Sequence, residues 1–381
     1  MARPVVVGPY RSYLEKLRYG SGLASGGHEQ GERRVTTIAI TGVGGLLGRR
    51  VAAALDARDD VDRIVGTDVR VPEGLSARKL AVRSDDVRDP GIEDAFRDAD
   101  VVVHLAFQLD PLHDEAEMHA VNVEGTRNVF EAAARAGVGH LVYLSSVVVY
   151  GAEPDNDFPL TEDSRLRPVP DLNYAEHKHE IETWLGPWIE EHPDLHVAVL
   201  RAAVVLGPGV DNFITRIFEA PRITVVKGHK PPLQFVHVDD AVSAIVHAVE
   251  HRLSGPYNVA AEGWLSFDEV TAVVGRRTIA VPEEVAFSST ERLWKLGVGE
   301  QPPGIVRLFM HPWVVSPDKL IATGWHPQHS NRDALAATVE DHEGYLSFVG
   351  IRTTRRTIRR GALAVAGVCA VFLVRWLRRR D

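Results

Sequence analysis

Short apolar runs alternate with longer amphipathic stretches along residues 35–207. The apolar runs, at 35–40, 64–67, 99–106 and 141–146, are nearly continuous, as expected for strands buried on both faces of a sheet. Hydrophobic periodicity predicts helices beginning near Leu46, over 115–136 and over 174–191. This alternation indicates an α/β fold with a doubly wound parallel sheet, covered by helices on both faces.

A glycine-rich turn directly follows the first predicted strand. Residues 41–48 read Thr-Gly-Val-Gly-Gly-Leu-Leu-Gly, and a helix is predicted to begin within them. Glycines allow a tight turn and let the backbone approach a pyrophosphate, which binds at the positive end of the helix. The residues predicted to contact a dinucleotide here are Gly42, Gly45, Leu46, Leu47 and Gly48.

An acidic residue, Asp68, ends the second apolar run. A carboxylate at this position can bind both hydroxyls of an adenosine ribose and repels a 2′-phosphate. Arg70, two residues later, would weaken that preference. The sequence therefore predicts NAD as the cofactor, in preference to NADP.

Tyr174 and Lys178 stand four residues apart in the third predicted helix, so their side chains share one face. An ammonium group there would lower the pKa of the phenol from about 10 towards neutrality. Ser146 ends the fourth predicted strand, and the carboxyl ends of parallel strands meet beside the glycine turn. Together these residues predict a site for hydride transfer.

Further motifs in the same order make the chain similar to the extended short-chain dehydrogenases/reductases of the NAD-dependent epimerase/dehydratase family. The resemblance covers about residues 35–345. The motifs are Thr41-Gly42-x-x-Gly45-x-x-Gly48, Asp86-Val87-x-Asp89, His104-Leu105-Ala106, Asn122-Val123-Glu124-Gly125-Thr126, Ser146 with Tyr150-Gly151, Tyr174-x-x-x-Lys178, Phe235-Val236-His237-Val238-Asp239-Asp240 and Tyr257-Asn258-Val259.

This resemblance implies a Rossmann domain with a smaller C-terminal substrate-binding region. It implies that Asp86 and Val87 lie near the adenine of NAD. It adds further cofactor contacts from Leu105, Ala106, Asn122, Tyr174 and Lys178. For Asn122, a packing role beside the sheet is an equally open interpretation.

The resemblance also implies a division of chemical roles. Tyr174 would take the proton from a secondary alcohol while the hydride goes to the nicotinamide. Lys178 would stabilise the phenolate and bind the nicotinamide ribose, and Ser146 would hydrogen-bond the substrate oxygen. The alternative for Ser146 is a hydroxyl that caps a backbone group.

The other polar residues near these motifs receive structural interpretations. His177 and His179 are expected on a solvated helix face. His237 and the pair Asp239 and Asp240 are not expected to bind a metal, and an aspartate of the pair is expected to cap a helix that starts at Ala241. No metal site is predicted.

Departures from the family pattern reduce the number of reactions that the chain is expected to catalyse. Dehydratases of the family carry an Asp-Glu pair after the catalytic Ser or Thr, where this chain has Val147 and Val148, so dehydration is not expected. Epimerases usually place a diphosphate-binding arginine where this chain has Leu233. Other cations, at 222, 227, 229 and 230, are alternative phosphate ligands.

Domain boundaries follow from composition and motif order. Residues 1–34 are predicted to form a partly flexible extension, and 35–207 the NAD-binding domain. Residues 208–350 are predicted to form the substrate-binding region, interleaved with the Rossmann sheet. Two long helices, 115–136 and 174–191, are candidates for a homodimer interface.

The tail, 351–381, has a different character from the rest. Its nine arginines flank an unbroken apolar run at 361–374, which favours membrane association through residues 361–377 over packing on the protein. The tail carries a net charge of +8, whereas the whole chain carries −9, so residues 1–350 are strongly acidic. Nucleic acid is therefore not expected as a partner. The single cysteine, Cys369, fits a catalytic domain on the cytoplasmic side of the membrane.

These patterns predict an NAD-dependent oxidoreductase or epimerase acting on a secondary alcohol or ketone of a small molecule. The first expectation is a sugar or nucleotide sugar, with chemistry like that of a 4-epimerase. One alternative is a dehydrogenase of the 3β-hydroxysteroid type acting on a lipid. The other is a non-catalytic NAD-binding sensor or scaffold.

Overall fold

The computed structural model describes residues 36–72, 74–75, 77–348 and 351–354. The predicted N-terminal extension, 1–34, and the apolar run of the tail, 361–377, lie outside the described residues. Within the described part of the chain, no helix is long and apolar enough to cross a membrane.

A seven-stranded parallel sheet forms the centre of the molecule. Its strand order is β3-β2-β1-β4-β5-β6-β10, with the chain reversing direction across the sheet between β1 and β4. The strands are β1 (Thr36–Thr41), β2 (Val61–Thr67), β3 (Leu80–Arg83), β4 (Val101–His104), β5 (His140–Ser146), β6 (His196–Ala202) and β10 (Gly255–Val259). The order and the uniformly parallel pairing confirm the predicted Rossmann fold.

Helices cover both faces of this sheet. They include α1 (Leu46–Asp56), α2 (Glu93–Phe96), α3 (Glu115–His119), α4 (Gly125–Arg135), α5 (Asn173–Glu191) and α6 (Val238–Glu250). Apolar side chains of α1 and α6 pack in one core cluster. Those of α2, α4 and α5 pack in another, on the opposite face. Burial on both faces explains why the strands are almost continuously apolar.

The remaining elements build a smaller region at the carboxyl edge of the sheet. Three two-stranded sheets pair β7 with β9, β8 with β11 and β12 with β13. Its strands are β7 (Val204–Leu206), β8 (Arg222–Val226), β9 (Phe235–His237), β11 (Arg277–Val281), β12 (Tyr345–Phe348) and β13 (Ile351–Thr354). Its helices are α7 (Phe267–Val274), α8 (Glu283–Lys295), α9 (Asp318–Ile321) and α10 (Asn331–Asp341).

Two helix predictions need correction. The helix expected over 115–136 is interrupted by a π-helical turn, Ala120–Glu124, which separates α3 from α4. Helix α6 begins at Val238 and not at Ala241, and the residue that caps it is His237, whose Nδ1 accepts from the Asp239 amide at 3.2 Å. The buried carboxylate of Asp240 instead accepts from the amides of residues 328 and 329.

Candidate active site

The glycine turn between β1 and α1 has the geometry of a phosphate-binding loop. Gly42 has a φ of +73°, and a Cβ there would lie 2.6 Å from the amide nitrogen of Ala106. A Cβ at Gly48 would lie 2.1 Å from the Gly42 carbonyl oxygen. Helix α1 begins at Leu46 with no side chain capping its first amides, so these donors can face an anion. The loop therefore fits the pyrophosphate of a dinucleotide.

Asp68 at the end of β2 is tied to this loop. Its Oδ2 accepts a hydrogen bond from the Gly44 amide at 2.9 Å, and its Oδ1 accepts from the Arg70 amide at 2.9 Å. The carboxylate therefore lies directly beside the glycine loop. It also fixes the loop, a second role that the sequence alone does not indicate.

The ends of β1 and β4 are joined by a buried histidine. His104 Nδ1 lies 2.7 Å from Thr41 Oγ1, and its Nε2 lies 2.9 Å from Thr126 Oγ1 in α4. Burial, with a smaller contribution from the charge of Lys178, lowers the pKa of His104 to about 3. The Thr41 hydroxyl also accepts from the amides of Leu105 and Ala106 at 3.3 Å, which holds those two residues against the loop.

Asp86 and Val87 lie farther along the same edge. Arg88 bonds to the Asp86 carboxylate and lowers its pKa, although partial burial opposes the shift. Val87 is buried, and its side chain occupies the space that a Cβ at Gly125 would need. Neither residue lines the central cleft described below.

Ser146 and Tyr174 meet at the carboxyl end of β5. Ser146 Oγ accepts from the Val148 amide at 3.2 Å, which directly supports the capping interpretation of Ser146. Ser146 and Tyr174 also both line the cleft described below. Burial raises the pKa of Tyr174 to about 12, and the nearby Ser146 hydroxyl opposes that rise only in part. The expectation of a lowered Tyr174 pKa is therefore wrong in this structure.

Lys178 is buried one turn along α5, and its hydrogen bonds explain why it does not lower the Tyr174 pKa. Its Nζ donates to the Leu144 carbonyl at 2.7 Å and to the Tyr143 hydroxyl at 3.1 Å. The same nitrogen lies 3.5 Å from the centre of the Phe107 ring. Burial lowers the Lys178 pKa well below its usual value, although the charge of Glu182 opposes the shift. Its donors are directed at the sheet and not at the Tyr174 phenol.

Asn122 lies in the π-helical turn and holds the segment after β4. Its Oδ1 accepts from the Gln108 amide at 2.7 Å, and its Nδ2 donates to the Gln108 carbonyl at 3.0 Å. The packing interpretation of Asn122 thus has direct support, since these bonds position Phe107 beside Lys178. His177 Nδ1 lies 3.3 Å from Asn122 Nδ2.

The expectation that His177 and His179 lie on a solvated helix face is wrong. His177 is buried, and burial, reinforced by the neighbouring His119, lowers its pKa to about 4. His179 is half-buried, with a pKa that burial also lowers. The reason is that α5 packs against the helical segment that includes Asn122 as well as against the sheet.

A buried ion pair lies beneath the site and was not predicted from the sequence. Arg201 of β6 donates to the Glu182 carboxylate of α5 at 2.6 and 2.9 Å, and both side chains are almost inaccessible. Ser145 Oγ donates to the same carboxylate at 2.5 Å. Arg201 also donates to the Tyr150 hydroxyl, which donates to Asn258 Oδ1 at 2.8 Å. This network accounts for the motif residues Tyr150 and Asn258 as structural.

A cleft of about 310 Å³ connects these parts. It is lined by the predicted residues Gly42, Gly45, Leu46, Leu47, Gly48, Leu105, Ser146, Tyr174 and Lys178. Beyond Tyr174 its wall is mainly apolar, formed by side chains that the sequence analysis missed, namely Phe107, Leu109, Leu172, Phe213, Ile305, Leu308 and Trp313. Among the described residues, Lys178 and Asp211 are the charged side chains in the lining.

The alternative phosphate ligands do not line this cleft. Lys230 pairs with Asp268 at 2.7 Å, and His229 Nδ1 lies 2.9 Å from the Met310 carbonyl. Leu233 is buried in the core of the C-terminal region. The structure therefore does not bring the four candidate residues together at the Ser146–Tyr174 pair.

Comparison with known proteins gives a family match over residues 38–260, to the model described as the NAD dependent epimerase/dehydratase family. An uncharacterized Mycobacterium tuberculosis protein, Rv0501, is 28% identical over 254 residues, covering 64% of this chain and 67% of that protein. Short-chain dehydrogenase/reductase family 42E member 1 of Xenopus laevis is 28% identical over 248 residues, covering 60% and 62% respectively.

The solved structures show the same architecture. The UDP-glucose 4-epimerase of Thermus thermophilus, in complex with NAD, superposes with a TM-score of 0.62. The match covers 81% of this chain and 99% of the epimerase, at 24% sequence identity. At this level of sequence identity, the similarity shows that the two proteins share a fold.

Proposed function

Because the chain belongs to the NAD dependent epimerase/dehydratase family, we propose that it transfers a hydride between NAD and a secondary alcohol or ketone at the Ser146–Tyr174 pair. The observation that carries this proposal is that Ser146, Tyr174 and Lys178 line one cleft together with the glycine loop. Family membership confirms that the chain is an enzyme and that NAD is its cofactor.

The glycine loop, the free amides of α1 and Asp68 would hold NAD, which when bound accepts or donates the hydride. Ser146 would donate a hydrogen bond to the substrate oxygen. Tyr174 would give or take the proton on that oxygen, with Ser146 beside it. Lys178 would act on the Tyr174 phenol only after its donors leave Leu144 and Tyr143.

The lining of the cleft supports an apolar substrate. A diphosphate requires cationic donors, whereas the wall beside Tyr174 carries aromatic and aliphatic side chains. We therefore favour the dehydrogenase of the hydroxysteroid type among the alternatives. A nucleotide sugar, the first expectation from sequence, remains the competing proposal. Val147 and Val148 are buried and cannot move protons, in keeping with the exclusion of dehydration.

Two assays would test the proposal: initial rates of NADH formation with sterol alcohols, and chromatographic detection of the 4-epimers of UDP-sugars, because epimerisation releases no net NADH. We expect turnover with a sterol alcohol and none with UDP-sugars. Tyr174→Phe should reduce kcat by about 10²–10⁴-fold because the proton acceptor is lost. NAD affinity should stay unchanged because the glycine loop is untouched. Tyr345→Phe, a change at an exposed tyrosine, is the matched control. Full activity in Tyr174→Phe would contradict the mechanism.

Membrane association through residues 361–377 remains a proposal that rests on the arginine-flanked apolar run. A cytoplasmic catalytic domain remains a proposal that rests on the single cysteine, Cys369. A homodimer also remains a proposal. Flotation with liposomes and sedimentation of the full chain would test them.

A further inference from the structure

We propose that a second cavity, between the β8–β11 pair and α8, binds the aliphatic part of a lipid. The cavity measures about 570 Å³, within the range of sites that hold a small molecule. Its wall is formed largely by apolar side chains, among them Ile217, Ile223, Ile279, Leu293 and Phe309.

Two hydroxyl groups in the wall are already hydrogen-bonded to the backbone of α8. Ser289 Oγ donates to the Val285 carbonyl at 2.6 Å, and Thr290 Oγ1 donates to the Ala286 carbonyl at 2.8 Å. Both bonds turn polar atoms back onto α8. Arg216, at one end of the cavity, is ion-paired with Asp211 at 2.9 Å. Arg222 and Gln301 also line the cavity, so it suits a ligand that is mainly hydrocarbon and carries a polar end.

Exposed apolar side chains also lie at and beside the lining of the cavity. Ile279, which lines it, is 42% exposed, and Val285 at the start of α8 is 48% exposed. Val298, beside the lining residue Gly299, is 43% exposed. Exposed apolar groups of this kind mark interaction sites. A folded partner would cover such a surface, but only a narrow chain would also fill the cavity behind it.

Ile305 lies between this cavity and the active-site cleft, because it lines both. A ligand with its aliphatic chain in the second cavity would reach Tyr174 only by displacing the Ile305 side chain. This last step rests on the proposed function. The binding of a lipid chain does not.

Binding can be measured with cis-parinaric acid, a long-chain fatty acid whose fluorescence rises in apolar surroundings. The test uses the full chain, Ser289→Phe, which enlarges a side chain of the cavity lining, and Ser288→Phe. The latter is the matched control, an exposed position on the same helix outside the lining. Thermal unfolding would establish that both variants fold. We expect Ser289→Phe to weaken binding about tenfold or more and Ser288→Phe to leave it within about twofold.

Failure to bind the probe, or equal binding by Ser289→Phe, would overturn the inference. Dehydrogenase activity is assayed separately, and Tyr174→Phe should still bind the probe. Probe binding without turnover would reject the proposed function and retain the cavity. Turnover with short alcohols, but without probe binding, would reject the cavity as a lipid site and retain the proposed function.

Discussion

Tyr174 and Lys178 show how burial controls chemistry at the scale of single residues. Lys178 is buried and Tyr174 is half-buried, and burial disfavours the charged form of each. Burial thus favours the protonated phenol of Tyr174 and the uncharged amine of Lys178. The spacing of the two residues was readable from the sequence. The direction of the Lys178 donors was not, because it depends on Tyr143 and the Leu144 carbonyl, which belong to a different element.

His104 makes the stability of the protein dependent on pH. Its pKa is about 3 in the folded protein against 6.5 for a free histidine, so the unfolded chain binds more protons between these values. Stability is therefore full above about pH 6.5 and falls as the pH drops towards 3, by up to roughly 1.4 kcal/mol per pH unit. Urea unfolding at several pH values should show a shallower dependence in His104→Gln. An unchanged dependence would contradict the assignment.

At the scale of elements, Asp68 links β2 to the glycine loop, and we expect it to set the choice of cofactor. Asp68→Asn can still accept one hydrogen bond but loses the charge that repels a 2′-phosphate. We expect it to reduce the preference for NAD over NADP by about 1–3 kcal/mol, with the fold retained. Calorimetric titration with both dinucleotides measures this preference, and Asp62→Asn, on an exposed part of the same strand, is the control. Tighter NADP binding by the unmodified chain would reject the role.

The ion pair of Glu182 and Arg201 joins α5 to β6 in the core. Removing one partner leaves an uncompensated buried charge, so Arg201→Met should cost about 3–5 kcal/mol in the free energy of unfolding. Lys295→Met breaks an exposed pair with Glu291 and should cost less than about 1 kcal/mol. Denaturant unfolding compares the two. Equal losses in the free energy of unfolding would show that the buried ion pair contributes no more to stability than the exposed one.

The elements differ in how far the sequence could predict them. Strands β1, β2, β4 and β5 were recognisable because burial on both faces leaves continuous apolar runs. The loop residues Gly42 and Gly48 were recognisable because contacts closer than 3 Å exclude any side chain. The cleft wall contributed by 303–309 was not, since apolar residues there have no periodicity that distinguishes a substrate wall from a core.

At the scale of the whole molecule, Arg352 of β13 connects the last described strand to the C-terminal region. Its guanidinium donates to the buried Glu219 carboxylate at 2.6 and 3.0 Å and also contacts Asp211. The motif order alone predicts that truncation after Gly350 leaves the catalytic domain intact. The structure shows that such a cut removes β13 and this ion pair.

A cut after Thr354 retains both features, so the two truncations form a matched pair. We expect the protein ending at Thr354 to melt at a higher temperature than the one ending at Gly350, because Glu219 keeps its partner. Differential scanning calorimetry would measure the two transitions. Identical melting temperatures would mean that β13 contributes nothing to the fold.

The position of β10 at the edge of the central sheet has a consequence for synthesis. Strand β6 gains this neighbour only after the chain has passed through residues 203–254, and Asn258 reaches the Tyr150 hydroxyl only then. While the ribosome is still making the C-terminal region, β6 presents an open row of amides and carbonyls to other nascent chains. The protein should therefore depend on chaperones late in translation, and slow codons before residue 255 should lower its yield more than slow codons after residue 259.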